Sequence, residues 1–412
     1  MKKILLLFLI GMLALAVTAQ QIDLLIAGGH VIDPKNGRNG LMDVAIKDGK
    51  ILQVAPRIDP ALARQVVDAK GLYVVPGLID IHGHHFWGTK EDAYLKNSYS
   101  ALPPDGFTFR AGVTTVVDAG SPGWRNFRIF KKQTIDKSQT RVLAFLNIVG
   151  RGMSGGAIEQ DLADMDPKLT AMVAKQYADY IVGIKLAHYY GPEWIPTERA
   201  VEAGRQAGIP VMVDFGGYDP PLSLETLLME KLRPGDILTH CYAHVDRRIP
   251  VVDEQGKLRP FTLQAQRRGV IFDVGHGGGS FRFDQAIPAI KQGLKPNSIS
   301  TDLHTGSMNA GMKNMLNVMS KFLNMDLSLQ EVITAATWNP ARIIQREELG
   351  HLSEGAVADV AVLRLHTGSF GFVDVVGMKI MGDQKLECEL TLREGRVVWD
   401  LNGISRPLYQ EK

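Results

Sequence analysis

Cysteine is nearly absent: the 412 residues contain two, Cys241 and Cys388. That excludes a disulfide-built scaffold and a zinc module made of cysteines. Charge excess is equally slight, with 46 Lys and Arg against 44 Asp and Glu and no basic block. Nothing in that balance attracts nucleic acid or an anionic membrane surface. No glycine-rich dinucleotide fingerprint follows any strand-like run. No apolar run reaches the roughly 20 residues that span a bilayer. The run from Ile4 to Val17 follows Lys2 and Lys3 and ends at Val17-Thr18-Ala19. This three-part pattern reads as a secretory signal peptide over residues 1–19. It predicts a protein exported across the inner membrane, periplasmic, with no stable membrane association after cleavage. Loss of Lys2 and Lys3 leaves 44 residues of each sign.

What is present is ordinary globular material, 45% hydrophobic with 42 Gly and 20 Pro, enough for a large core. Residues 22–75 show short apolar alternations broken by Gly, Asn, Asp and Pro, the texture of antiparallel strands. The same texture returns over 348–412. Neither end can bury much alone, so the two are expected to combine into one small discontinuous β-sandwich. Over 76–347 the rhythm changes to strand, helix, strand, helix. Strands are predicted near Ile79, Val116, Phe145, Ile184, Val213, Leu238, Phe272 and Ile299. Helices are predicted over 166–180, 197–207 and 261–268. Eight such units fit an α/β fold of the (β/α)8 TIM-barrel type.

Chemistry in such a barrel gathers where the strands end. Those ends deliver His82 and His84, Asp118, Asn147, Lys185, Asp214, His240, His276 and Asp302. Apolar strands that each finish in a polar group are hard to explain by packing, because buried ionisable groups are costly unless paired or bound to metal. His82 and His84, two apart in an extended segment, face one side and suit a metal; His85 must then point away. Lys185 is flanked by Ile184 and Leu186. It either snorkels outward or faces inward as a desolvated amine able to form a carbamate with carbon dioxide. His240 joins the converging set, while Cys241 beside it reads as packing. Asp302 is a helix cap on the bland reading and a metal ligand and proton shuttle on the functional one.

In this order, "GLIDIHGH", "GIKLAH", "LTHC", "FDVGHGGGSF" and "ISTDLHTGS" resemble the amidohydrolase superfamily, nearest its amidohydrolase/deacetylase branch, relatives of dihydroorotases and acylases. The likeness implies a first metal on His82, His84 and Asp302. It implies Lys185, as a carbamate, bridging to a second metal held by His240. At the fifth strand end the family pattern has a histidine, and here Asp214 stands in its place. Aspartate remains a competent ligand but is shorter and anionic. His188 and His244 are minor candidates to stand in.

The resemblance implies one or two divalent ions, zinc first and manganese second, with a small-molecule substrate and a homo-oligomer as further expectations. If only the first metal binds, His276 would polarise the substrate carbonyl. The glycines after it either offer N–H groups to a carboxylate or oxyanion or form a plain turn, and Arg151 either binds a substrate carboxylate or caps a helix C-terminus. The expected reaction is hydrolysis of a linear amide of the N-acyl type, or of an acetyl-type ester, on a small carboxylate-bearing molecule. A water activated by the cations would attack its carbonyl carbon. The alternatives are cyclic-amide opening, as in dihydroorotases and hydantoinases, and a binding protein that has lost catalysis on the same barrel.

Overall fold

The computed structural model describes residues 21–91, 93–217 and 219–410. The expected signal segment lies outside these residues. Among them, no helix is long and apolar enough to cross a membrane.

The chain starts with strands β1 (Leu24–Asp33), β2 (Arg38–Lys47), β3 (Lys50–Ala55), β4 (Val66–Asp68) and β5 (Tyr73–Pro76). It then enters a second sheet through β6 (Leu78–Gly83). A short strand β7 (Trp87–Lys90) bridges to Ser98. The second sheet continues with β8 (Val113–Gly123), β9 (Arg141–Asn147), β10 (Ile181–Leu186), β11 (Val211–Val213), β12 (Ile237–Leu238) and β13 (Ile271–Phe272). All seven of its strands run parallel, in the order β13-β12-β11-β10-β9-β8-β6. Such a parallel sheet, wrapped by helices, gives a TIM-barrel-like fold. Residues 298–303 join both its edges. Val274 N donates to Ser298 O at 3.1 Å, and Asp302 N to His82 O at 2.7 Å.

Local chemistry accounts for these elements. Ile79, Ile81, Val117, Leu143, Phe145, Val182, Met212 and Ile237 pack in one buried cluster inside the parallel sheet. Their alternates, such as Val142, Ala144 and Leu146, pack outward into the larger core. Each such side chain contributes about 1.5–3 kcal/mol on full burial. Helix Pro167–Gln176 starts where the Asp166 carboxylate caps Lys168 N and Leu169 N. Helix Ile195–Ala207 ends at Gly208, whose φ of +74° suits a left-handed cap.

The chain ends do combine, through β14 (Val360–Val373), β15 (Lys379–Arg393) and β16 (Arg396–Asp400). They form one sheet ordered β16-β15-β14-β5-β1-β2-β3, with β4 also on β1. The sheet is mixed rather than antiparallel throughout, because β4 and β5 both run parallel to β1. Ile26, Val44, Val67 and Val74 from the first half share a core with Val360, Val362, Leu390 and Leu392 from the second.

Candidate metal centre

At the C-terminal ends of the parallel strands, β6 delivers His82 and the two residues after it, and segment 298–303 delivers Asp302. Nε2 of His84 lies 3.0 Å from Asp302 Oδ1 and Nε2 of His82 lies 3.6 Å from it. One ligand atom from each of His82, His84 and Asp302 falls within 4.8 Å of the others, and all three residues are buried. Lys185, at 1% exposure, brings Nζ to 3.3 Å from His82 Nε2. Its stem fits because position 120 is glycine: a Cβ there would stand 2.6 Å from Lys185 Cβ.

Both histidines are steered through Nδ1. His82 Nδ1 lies 2.8 Å from Thr239 Oγ1, which donates to Asp273 Oδ2, also at 2.8 Å. His84 Nδ1 lies 3.0 Å from Ser121 Oγ, and Ser121 N donates to Asp118. With Nδ1 engaged, Nε2 is the ring nitrogen that faces Asp302 and would be left to bind a cation placed between them, as outer hydrogen bonds direct a metal-ligating histidine. Burial, and after it Lys185, hold the His82 imidazolium well below the ordinary 6.5. Burial lowers His84 too, against the pull of Asp302. Burial works to raise Asp302, but the His84 hydrogen bond and His304 outweigh it and keep the carboxyl below its ordinary value. Burial also lowers Lys185, although Asp214 and Asp302 oppose it. Two neutral imidazoles, a carboxylate and an amine with a weakened proton affinity make a donor set suited to a divalent cation.

Asp214 follows β11. Its Oδ2 lies 3.5 Å from His240 Nε2 and 3.5 Å from His188 Nε2. Burial would raise its carboxyl, yet His240, His188 and Lys185 hold it well below the ordinary range. His240 Nδ1 lies 2.5 Å from Gly275 O, and His188 Nδ1 lies 2.7 Å from Glu159 Oε2. Burial lowers His188, but the Glu159 hydrogen bond and Asp214 outweigh it and raise it overall. Three residues of this centre have left-handed backbones, His188 at φ +58°, His240 at +53° and Asp302 at +51°. Strain of this kind concentrates at functional sites. A cavity of about 370 Å³ opens beside His188, walled by Tyr94, Glu159 and Tyr190. A larger one, about 520 Å³, lies near the strand starts by Arg233 and Asp236 and holds none of these groups.

Two expected site residues stand apart. His276 does not face the cluster: its ring stacks on Phe281 at 4.5 Å and its Nε2 lies 2.6 Å from Lys321 Nζ. The N–H groups of His276 and Gly277 are also taken, by Ser300 O and Thr301 O. Arg151 is exposed, its backbone held by Asp164 and Asn126, and its side chain makes no hydrogen bond or ion pair among the described residues. Asn147 bonds Gly120 O and Val149 N and braces the local backbone. His85 points away, onto Leu102 O. His244 is exposed.

Sequence reasoning overlooked Thr239, Ser121, Glu159, His304 and Asp273. Asp273 carried a readable signal, since it is the residue that directly follows the seventh strand.

Residues 281–398 match the sequence profile of the amidohydrolase family. A deacetylase of Agrobacterium fabrum is 34% identical over 77% of this chain and 77% of its own length. A deacetylase of Enterococcus faecalis is 30% identical over 91% of this chain and 98% of its own. Among solved structures, an adenine deaminase superposes with a TM-score of 0.81 at 28% identity, covering 92% of this chain and all of its own. A dihydroorotase does so with 0.79 at 29% identity, covering 92% and 99%. The chain therefore belongs to the amidohydrolase family, and it is a metal-dependent hydrolase of carbon–nitrogen bonds.

Proposed function

We propose that the protein hydrolyses a linear amide of the N-acyl type, or an acetyl-type ester, on a small carboxylate-bearing substrate. The observation that carries this is the convergence of His82, His84 and Asp302 on one point at the strand ends. Sequence similarity favours the linear substrate, since relatives named deacetylase align over 77–91% of the chain and those named dihydroorotase over 61 or 62 residues. Structural similarity to a dihydroorotase covers 92% of the chain and does not separate the two.

One or two divalent cations, zinc first and manganese second, would sit on His82, His84, Lys185, Asp214, His240 and Asp302. When bound, they would acidify a water and polarise the substrate carbonyl. His82 and His84 offer Nε2 lone pairs because Thr239 and Ser121 engage Nδ1. Lys185, with its amine pushed toward neutrality by burial, adds to carbon dioxide: an N–C bond forms, one N–H proton leaves, and a bidentate anion results. Asp302, ionised by its histidine neighbours, takes the proton of the attacking water. It then passes that proton to the departing nitrogen or oxygen as the acyl bond breaks.

The same reading extends to architecture. Residues 298–303 serve as an eighth strand that closes the barrel of residues 76–347. The mixed sheet of 22–75 and 348–412 folds over as a β-sandwich. Residues 1–19 direct export to the periplasm, and the mature protein assembles with copies of itself.

The test is a panel of N-acyl amides, acetyl esters and cyclic amides, each with and without a carboxylate, since Arg151 stands exposed. Release of a free acid and an amine from linear members supports the proposal. Turnover of cyclic amides alone, which yields one product, overturns it in favour of ring opening. Metal binding without turnover of any member would move the protein to a binding role.

A further inference from the structure

Lys321 lies in the helix Met315–Leu323, fully buried, and takes no part in the chemistry above. Its Nζ donates to Gly311 O at 2.8 Å and to Val373 O at 2.7 Å, and lies 2.6 Å from His276 Nε2. A protonated lysine amine has three N–H groups and accepts nothing. Three acceptors surround it here, and a neutral amine would leave one of them unmet.

The imidazole passes the constraint on. Burial, and after it Lys321, hold His276 well below the ordinary 6.5, so the ring is neutral. Its Nδ1 lies 2.9 Å from Gly277 O, which can only accept. The proton therefore sits on Nδ1, and Nε2 receives Lys321. Phe281 stacks on the ring at 4.5 Å and 18°, which fixes its plane. Gly277 N donates in turn to Thr301 O at 2.9 Å. With φ at +58°, Gly277 lies where an added Cβ would run into Asp302 Oδ2. The chain from Lys321 thus ends on the Asp302 oxygen that does not meet His82 and His84.

The other end of the chain lies in the mixed sheet. Val373 closes β14, and the turn leading to β15 reaches the loop after His276. Val375 N donates to Phe281 O at 3.2 Å, and Phe283 N to Asp374 Oδ2 at 3.1 Å. Gly311 admits the strand end, since a Cβ there would stand 2.5 Å from Val373 O. Packing alone would ask for an apolar side chain at position 321, because burying an amine is costly unless its hydrogen bonds are met.

We propose that Lys321 is a positioning residue for Asp302, acting through His276 and Gly277, and that it ties the carboxylate to the β14–β15 hairpin. This rests on the metal-dependent hydrolase reading above, in which Asp302 is a ligand.

The full chain is titrated with Co²⁺ as the probe. Affinity is read by competition with a chromogenic chelator, geometry by the visible cobalt bands, and stability by the thermal midpoint. Lys321→Met and His276→Phe are each expected to weaken Co²⁺ about 10–100-fold and to shift the bands. His276→Phe keeps the stack on Phe281 and carries the test should Lys321→Met fold poorly. The double variant should bind no more weakly than the worse single one, because both cut the same chain. Ser320→Ala is the comparison: in the same helix, Ser320 Oγ accepts from Leu386 N at 2.9 Å and does not touch His276. Its midpoint should fall while its Co²⁺ affinity and bands stay as in wild type. Unchanged affinity and bands in His276→Phe and Lys321→Met would overturn the proposal and leave the hydrolase reading intact. So would full additivity in the double variant, or a loss in Ser320→Ala as large as in Lys321→Met. No bound cobalt in wild type would overturn the hydrolase reading itself, and this proposal with it.

Discussion

Nζ of Lys185 and Nε2 of His82 lie 3.3 Å apart, both side chains almost wholly buried. Burial lowers the proton affinity of each, and the pair stays together only if at least one gives up its charge. A lowered proton affinity at Lys185 is what the proposed carbamate would require. Replacing it with Ala should reduce turnover by more than the roughly 10–100-fold that loss of a ligand's supporting partner produces. Short carboxylic acids added to the variant should restore part of the rate. Wild-type rates in Lys185→Ala, by steady-state assay, would sink the bridging role.

Thr239 links His82 to Asp273, with 2.8 Å on each side. Thr239→Val keeps the shape and removes the hydroxyl, leaving His82 Nδ1 with Asp273 Oδ2 at 3.8 Å. Metal affinity should fall about 10–100-fold with the fold retained. Competition against a chromogenic chelator measures this, and unchanged affinity would show that Thr239 only packs.

Gly277 lies against the Asp302 oxygen that does not meet His82 and His84. A Cβ there would stand 2.4 Å from Asp302 Oδ2, and φ is +58°. Gly277→Ala must therefore displace the carboxylate. A shift near 1 Å at a reacting group lowers kcat by about 10²-fold. The thermal midpoint should fall by only a few degrees, because the strain is about 1–2 kcal/mol. Intact kcat would mean the loop moves instead of Asp302.

Lys321 is fully buried and donates to Gly311 O at 2.8 Å and Val373 O at 2.7 Å, besides meeting His276. Lys321→Met strands these acceptors, and each unsatisfied group removes about 1–3 kcal/mol. Burial pulls its pKa from 10.5 down to about 7. Between those values the unfolded chain binds a proton that the folded chain does not, so stability rises with pH across that window. Denaturant unfolding from pH 7 to 10 should show this slope in wild type, and the slope should shrink in Lys321→Met.

The strand ends were legible because period-two apolar runs finish at His82, Lys185 and His240, and a polar residue closing such a run is conspicuous. Asp302 was legible for the same reason. His188 stood out only as a minor substitute and Glu159 not at all, since they lie in loops whose approach depends on a left-handed turn and on residues distant in sequence. Lys321 was hidden in a helix whose other residues are apolar, where a lone lysine ordinarily reaches solvent. His276 misled because it is the histidine nearest the seventh strand, and Phe281 and Lys321 turn it away.

The bond from Asp302 N to His82 O, at 2.7 Å, also bears on the order in which the protein becomes competent. It joins the first strand of the parallel sheet to the last segment that adjoins it, and His84 N returns the link to Leu303 O at 2.9 Å. A chain halted before residue 302 has two imidazoles but neither the carboxylate nor the neighbour that holds their backbone. Contacts between residues so far apart in sequence form late, after the loop-closure entropy of everything between them has been met. Cation capture is therefore a signal that assembly is complete, and not a nucleus from which it begins.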